Sequence, residues 1–270
     1  MPATPPTSPA RRLLAQALLL ALLLAALAWR ARPDGALHVI FLETQGDAAL
    51  IQTPAGGYVL IDGGSDPAAL AAALGRQLPF WRRTLDAVVL TGADAARLPG
   101  QVAALARYHA NLALLPPAAG RGAALDEWRR LALAEGTPVR VARAGERLGL
   151  GGALLRVLAA DAERGLLLRL EYGATSVVFD QSGLDELPAG LAARSVDLLA
   201  FPWEHDPRVG LVATLRPRAI VFTDGSQAEQ PAELSFAERA PAGTRLYHER
   251  VDGTISWASD GRRFWIATER

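Results

Sequence analysis

Four histidines, His38, His109, His205 and His248, are the chain's whole supply of imidazole, and it has no cysteine and no lysine. Without thiols there can be no disulfide, thiolate nucleophile, iron–sulfur cluster or cysteine zinc site. Without lysine, Schiff-base chemistry and the lysine of phosphate-binding loops are excluded. The histidines stand apart, with no H-x-H, H-x-x-H or H-E-x-x-H pair, whereas a tight zinc site needs about three protein ligands. Carboxylates are the remaining candidates. Asp94, Asp180, Glu204 and His205 could converge on a carboxylate-rich metal site. Each candidate also has a plainer reading. Asp47, after Gly46, and Asp62, before Gly63-Gly64, suit turns in which a carboxylate satisfies backbone N–H groups. Asp180 reads equally as a former ligand or as a capping acid in 180–183. His205, between Glu204 and Asp206, reads as a hydrogen-bonded loop residue before it reads as a proton shuttle or ligand. His38 alternates with apolar neighbours on a strand. His109 ends a helix, where a partly charged imidazole complements the dipole. His248 lies in a polar hairpin.

Other chemistries lack their motifs. There is no G-x-S-x-G, and Gly225-Ser226-Gln227 has no strand–turn–helix elbow around it. Gly63-Gly64 and Gly149-x-Gly151-Gly152 read as turns, not as phosphate loops opening a helix. Asp126-Glu127 reads as a solvated first helical turn. Arg82-Arg83, Arg129-Arg130 and Arg262-Arg263 could touch phosphates. However, 28 basic residues balance 28 acidic ones, so a dedicated nucleic-acid binder's electrostatic footprint is missing. Trp81, Trp128, Trp203, Trp257 and Trp265 read as core or interface anchors. At 270 residues and 50% hydrophobic, the chain can fill a large core and is not globally disordered.

These residues need elements to hold them. Residues 37–42, 48–53 and 58–61 alternate like a β-meander, with a hairpin loop at 54–57. Asp66 can cap a helix over 66–78, with Pro67 at its first position. Strands at 86–90, 110–115 and 138–142 then alternate with helices at 99–108 and 123–135. The second half repeats the plan: strands at 153–159, 166–172 and 176–179, then strands at 196–201 and 218–222 alternating with helices at 207–215 and 231–239. Strands at 245–247, 254–257 and 263–268 close the chain. Two such halves predict a layered α/β/β/α sandwich.

Residues 1–12 form a short N-terminal tail. In residues 13–29 Gln16 is the single polar side chain, and arginines flank both ends. A bilayer core needs roughly 20 apolar helical residues, with about 17 as the lower limit. The reading is one transmembrane helix or signal anchor. Ala26-Leu27-Ala28 leaves signal cleavage open, and Trp29 suits an interfacial anchor.

The run 41–48, Phe-Leu-Glu-Thr-Gln-Gly-Asp-Ala, resembles the F-L-D-V-G-Q-G-D-A opening of the metallo-β-lactamase-like domain of ComEC-type competence proteins, one residue shorter. Val59-Leu60-Ile61-Asp62-Gly63-Gly64 is similar to that family's L-I-D-G-G, and Asp260-Gly261-Arg262-Arg263 to its closing hairpin. The resemblance covers about residues 36–270 and implies an αββα sandwich. It also implies a metal motif, H-x-H-x-D-H, after Thr91. This chain reads Gly92-Ala93-Asp94-Ala95-Ala96-Arg97 there, so Asp94 stands at the second histidine and Arg97 at the last. Arginine has no acceptor atom and cannot ligate a metal. The family's P-H-H-G-S falls on Pro202-Trp203-Glu204-His205-Asp206, its bridging aspartate on Asp180, and a late histidine on Gln230. Trp203 would then fill the metal cavity with apolar bulk.

The expectation is a single-pass cell-membrane protein with an extracytoplasmic, metal-free and non-catalytic metallo-β-lactamase-like domain at 36–270. Its role would be binding or accessory, linked to competence or DNA uptake by resemblance alone. Asp47, Asp62, Asp94, Asp180, Trp203, Glu204 and His205 would mark the degenerate site. Partners would be the membrane, through 13–29, and an envelope protein; nucleic acid has no support from net charge. One alternative is a zinc- or manganese-dependent phosphodiesterase or nuclease. Another is a scaffold subunit.

Overall fold

A computed structural model describes residues 9–30, 32–117, 119–180, 195–207, 210–224, 236, 239, 241 and 243–270. The chain divides into two compact units, one up to Asp34 and one spanning Gly35–Arg270. The first contains helix α1 (Pro9–Arg30). Its described side chains, over residues 13–24, include exposed leucines throughout. Among the described residues no helix is long and apolar enough to cross a membrane. The spanning helix expected at 13–29 therefore gains no support from the fold.

The second unit is built on two large mixed sheets. The first runs β17 (Phe264–Thr268), β16 (Ile255–Ser259), β1 (Leu37–Phe41), β2 (Ala48–Gln52), β3 (Tyr58–Asp62), β5 (Ala87–Val89), β7 (Ala113–Leu115), β8 (Val139–Val141). The second runs β15 (Arg245–His248), β14 (Ala219–Thr223), β13 (Leu198–Pro202), β12 (Thr175–Asp180), β11 (Gly165–Tyr172), β10 (Ala153–Asp161), β9 (Arg147–Leu150). A small parallel pair, β4 (Thr84–Leu85) with β6 (His109–Ala110), completes the strands.

Alternation along the strands divides each sheet's side chains between two layers. Val39, Phe41, Leu168, Phe179 and Trp257 meet between the sheets. Ile40, Leu50, Leu60 and Val88 face outward, under α2 (Pro67–Gln77), α3 (Leu98–Leu105) and α4 (Ala123–Ala134). Leu199, Phe201 and Phe222 face outward under α5 (Gly210–Leu215). The result is the α/β/β/α layering expected.

Local departures have local causes. Helix α3 stops at Leu105, because the His109 N–H is taken by the Arg83 carbonyl at 2.9 Å to form β6. His109 is thus a strand residue and not a helix end. Strand β9 runs through a glycine-rich stretch that reads as a turn. The short helix α6 (Glu249–Asp252) replaces the polar hairpin expected around His248. Of the helix expected at 231–239, only 236 and 239 are among the described residues.

Strands β3, β5, β7 and β8 run parallel to one another, and so do β12, β13, β14 and β15. Leu166, at the start of β11, donates to the Thr91 carbonyl just beyond β5. This contact puts the C-terminal ends of both parallel sets at one edge of the sandwich. In open α/β sheets that edge is where ligands bind.

Candidate functional site

At the C-terminal ends of the parallel strands stand Asp62 on β3, Asp180 on β12 and Asp224 just after β14. Asp62 adopts φ 55°, a left-handed conformation that aspartate tolerates better than most residues. Its two carboxylate oxygens accept from the Thr91 N–H at 2.7 Å and the Thr91 hydroxyl at 2.6 Å. Asp62 thereby ties the end of β3 to the exit of β5. Burial pushes its carboxyl up to about 8, against the opposing pull of Arg97 and the Thr91 bonds.

Asp47 sits in the turn between β1 and β2, fully buried. Its N–H donates to the Ala96 carbonyl at 3.0 Å, and Arg97 Nε donates to its carboxylate at 2.8 Å. Gly46 permits the approach: a Cβ there would lie 2.3 Å from the Ala96 oxygen. Arg97, at the start of α3, also pairs through Nη1 with Asp94, whose other oxygen caps the Ala96 N–H at 2.9 Å. Burial alone would lower the guanidinium's pKa, but Asp47, Asp62 and Asp94 together raise it. Arg97 is therefore a fixed cation inside the strand-end cluster. Burial pushes Asp47 upward, with Arg97 opposing it.

The other candidates approach from the second sheet. Asp180 is fully buried at the end of β12. Glu204 lies close enough for its charge to act on Asp47, and the Thr223 side chain faces the same carboxylate. Trp203 is buried among Phe222 at 5.0 Å, His248 at 5.1 Å and Phe236 at 6.0 Å, with the Arg239 guanidinium 4.0 Å over its ring. His205 rests its imidazole on Phe201 at 5.6 Å. The structure thus gathers Asp47, Asp62 and Asp94 around Arg97. It places Trp203 and His205 in an aromatic layer beside them.

Asp224 and Glu249 are not candidates in the sequence, and His248 reads there as part of a polar hairpin, yet all three are buried here. His248 Nε2 lies 3.8 Å from Asp224 Oδ1, while its Nδ1 accepts from the Arg250 N–H at 3.1 Å and caps α6. Burial first, then Arg250 and Arg239, lowers its pKa to about 4. Glu249 meets no hydrogen-bond partner with either carboxylate oxygen among the described residues. Burial, reinforced by Asp224, Asp47 and Glu43, holds it well above the usual glutamate range. The sequence signal for Asp224 is the strand-ending aspartate itself, which recurs at 62, 180 and 224. His248-Glu249 gives no such signal, because His-Glu-Arg reads as solvated surface. Gln230 lies outside the described residues.

The donor set can be tested against a metal. Asp47 and Asp94 face a guanidinium, Asp62 is committed to Thr91, and Arg97 brings positive charge to the place a dication would need. Among the described residues no group of three or more histidine, aspartate or glutamate side chains is placed to hold a metal ion. These residues do not fit a metal centre. Beside them opens a cavity of about 240 Å³ lined by Gly92, Asp94, Arg97, Pro116, Glu163 and Arg164, among others.

No protein-family model matches the sequence, and no curated protein matches it. Solved structures do match. The metallo-beta-lactamase fold protein YhfI from Bacillus subtilis aligns with a TM-score of 0.52 and 14% identity, over 78% of this chain and 96% of its own. A diphosphatase of the PhnP family aligns at 0.51 and 14%, over 86% and 98%. Zinc-bound PqqB from Methylobacterium extorquens aligns at 0.51 and 12%, over 68% and 87%. At such identities the likeness is one of architecture, and it agrees with the paired mixed sheets and their shared strand-end site: the chain carries the metallo-β-lactamase fold.

Proposed function

We propose that this protein is a metal-free, non-catalytic member of the metallo-β-lactamase-fold group, held at the membrane by residues 13–29, with a binding or accessory role at the cell envelope. One observation carries the non-catalytic reading. Arg97 stands where the resembling motif has its last histidine, and its guanidinium is locked to Asp47 and Asp94. A permanent cation there repels a dication and engages the carboxylates that would receive one. Membrane attachment is supported by the sequence of 13–29, where Gln16 alone is polar. A link to competence or DNA uptake rests on the resemblance over 41–48 and 59–64. On this reading the domain lies outside the cytoplasm and has no resident cofactor.

A second reading has its own observation. Glu249, buried beside Asp224 and Asp47 without a hydrogen-bond partner among the described residues, is what a carboxylate-rich cation site would contain. One experiment decides between them. The full chain is purified in detergent, its zinc and manganese are measured, and phosphodiester hydrolysis is assayed. The non-catalytic reading expects substoichiometric metal and no turnover above background. About one metal per chain, with turnover lost in Asp180→Ala or Glu249→Gln, would establish the hydrolase instead.

A further inference from the structure

The edge of the sandwich opposite the acidic site has its own chemistry. Strand β1 begins there at Leu37, two residues into the second unit. Leu37 pairs with Ser259, and Ser259 with Phe264, so the 260–263 hairpin lies at the same end. His38 pairs with Gln52, and Gln52 with Tyr58, which brings the 53–57 loop there too. Arg82 Nη2 donates to the Gly56 carbonyl at 2.6 Å and pins the 78–83 loop beside it. Thr175 and Ser259 share a hydroxyl bond of 2.7 Å, and Leu198, Ala219 and Arg245 pair in register. The starts of β12 to β15 therefore close the same face.

Three large aromatics stand exposed here: Phe80 at 65%, Trp81 at 47% and Trp265 at 50%. Phe80 and Trp81 form an edge-to-face pair with centroids 4.7 Å apart. Arg83, Arg107, Arg218, Arg245, Arg262 and Arg263 are exposed around them. Three of the acids at this end are engaged, and a fourth, Glu135, lies 4.0 Å from His109. Asp86 lies beside Arg82, Asp197 is 3.3 Å from Arg218, and Asp260 accepts from the Arg262 and Arg263 N–H groups. A groove of about 300 Å³, lined by Arg218, Arg245, Phe264 and Trp265 among others, opens on the same face. A net charge of zero thus conceals a cluster of exposed arginines and aromatics at this end.

We propose that this basic, aromatic end is a docking face for an anionic lipid surface, with the 218/245 groove seating headgroup phosphates. The proposal rests on the anchoring reading. The chain enters the second unit at this edge, because β1 begins at Leu37, so the segment that carries the expected anchor joins the unit here. Tryptophan and phenylalanine favour the headgroup boundary, and arginines near an anionic leaflet are attracted to it. Docked this way, the acidic site and the 240 Å³ cavity face away from the bilayer.

The test uses the full chain in nanodiscs of phosphatidylcholine with and without phosphatidylglycerol, read by amide hydrogen exchange. Segments 78–86 and 260–266 are expected to exchange more slowly with phosphatidylglycerol, while 43–47 and 202–206 do not change. Each of Arg83→Gln, Arg262→Gln and Arg263→Gln reduces that protection about fivefold. The pair Phe80→Ser/Trp81→Ser abolishes it without releasing the chain. Equal exchange in both lipids, with the chain still retained after a carbonate wash, overturns docking and leaves anchoring standing. Release by carbonate with lipid-dependent protection intact overturns anchoring and leaves docking standing. Protection of these segments by oligothymidylate and not by phosphatidylglycerol overturns the lipid assignment in favour of nucleic acid.

Discussion

Arg97 and Asp47 neutralise each other in the interior, so removing Arg97 alone strands the charge of the fully buried Asp47. Breaking a buried ion pair from one side costs about 3–5 kcal/mol, whereas replacing both partners can be nearly neutral. Arg97→Met is therefore expected to lower stability by about 3–5 kcal/mol in urea denaturation at pH 7. The double substitution Arg97→Met/Asp47→Asn should recover most of that loss. A double variant no more stable than the single one would mean the pair is not what holds the 46–47 turn to α3. His248 sets a pH dependence of opposite origin. Its pKa falls from 6.5 to about 4 on folding. Between those values the unfolded chain binds a proton that the folded chain refuses, so stability rises with pH across that window. The contribution is complete above pH 6.5 and is lost as pH falls towards 4. His248→Asn keeps an acceptor for the Arg250 N–H but cannot titrate. The wild type should lose stability relative to this variant on acidification through that window, by up to roughly 1.4 kcal/mol per pH unit, followed by urea denaturation at several pH values.

Helix α3 matters more for where it sits than for its own strength. It packs so closely on the turn after β3 that a Cβ on Gly100 would lie 1.7 Å from the Gly63 carbonyl oxygen. Gly75, inside α2, has nothing within 4 Å of the same position. Gly75→Ala is thus expected to stabilise by about 0.5–1 kcal/mol. Gly100→Ala should destabilise by more than about 3 kcal/mol, because the clash is with backbone that cannot rotate away. Thermal melts of the two variants test this, and equal shifts would deny the close helix–turn contact. This contact also shows what the sequence can and cannot convey. The meander of β1 to β3 is legible because its alternation and its glycine-ended strand are local patterns. The aspartates at 62 and 180 are legible because each ends an apolar run, and Asp47 because it follows a turn glycine. Arg97 is legible as a misfit in a histidine motif, but its bonds to Asp47 across 50 residues are not. Glu249 is hidden altogether: local polarity marks it as surface, and only the packing of α6 against the end of β14 buries it.

At the scale of the whole molecule, the second unit contains everything its core needs. Phe41 from one sheet and Phe179 from the other meet at 6.1 Å, and Trp257 is fully buried in the same layer. Among the described residues the buried hydrophobic side chains begin at Ala36, and none precedes the unit boundary at Gly35. Stability should then be indifferent to the N-terminal segment. Residues 35–270 alone are expected to melt within about 3 °C of the full chain, a shift worth no more than about 1 kcal/mol for a domain of this size. Phe179→Ala opens a cavity between the sheets and should cost about 3–5 kcal/mol. That loss should be the same in the full chain as in the truncated form, since no segment outside the unit can refill the void. Paired melts of the four proteins separate the cases. If truncation alone produced a drop comparable to that of Phe179→Ala, residues before Gly35 would have to belong to the core, and the second unit would not be a self-sufficient sandwich.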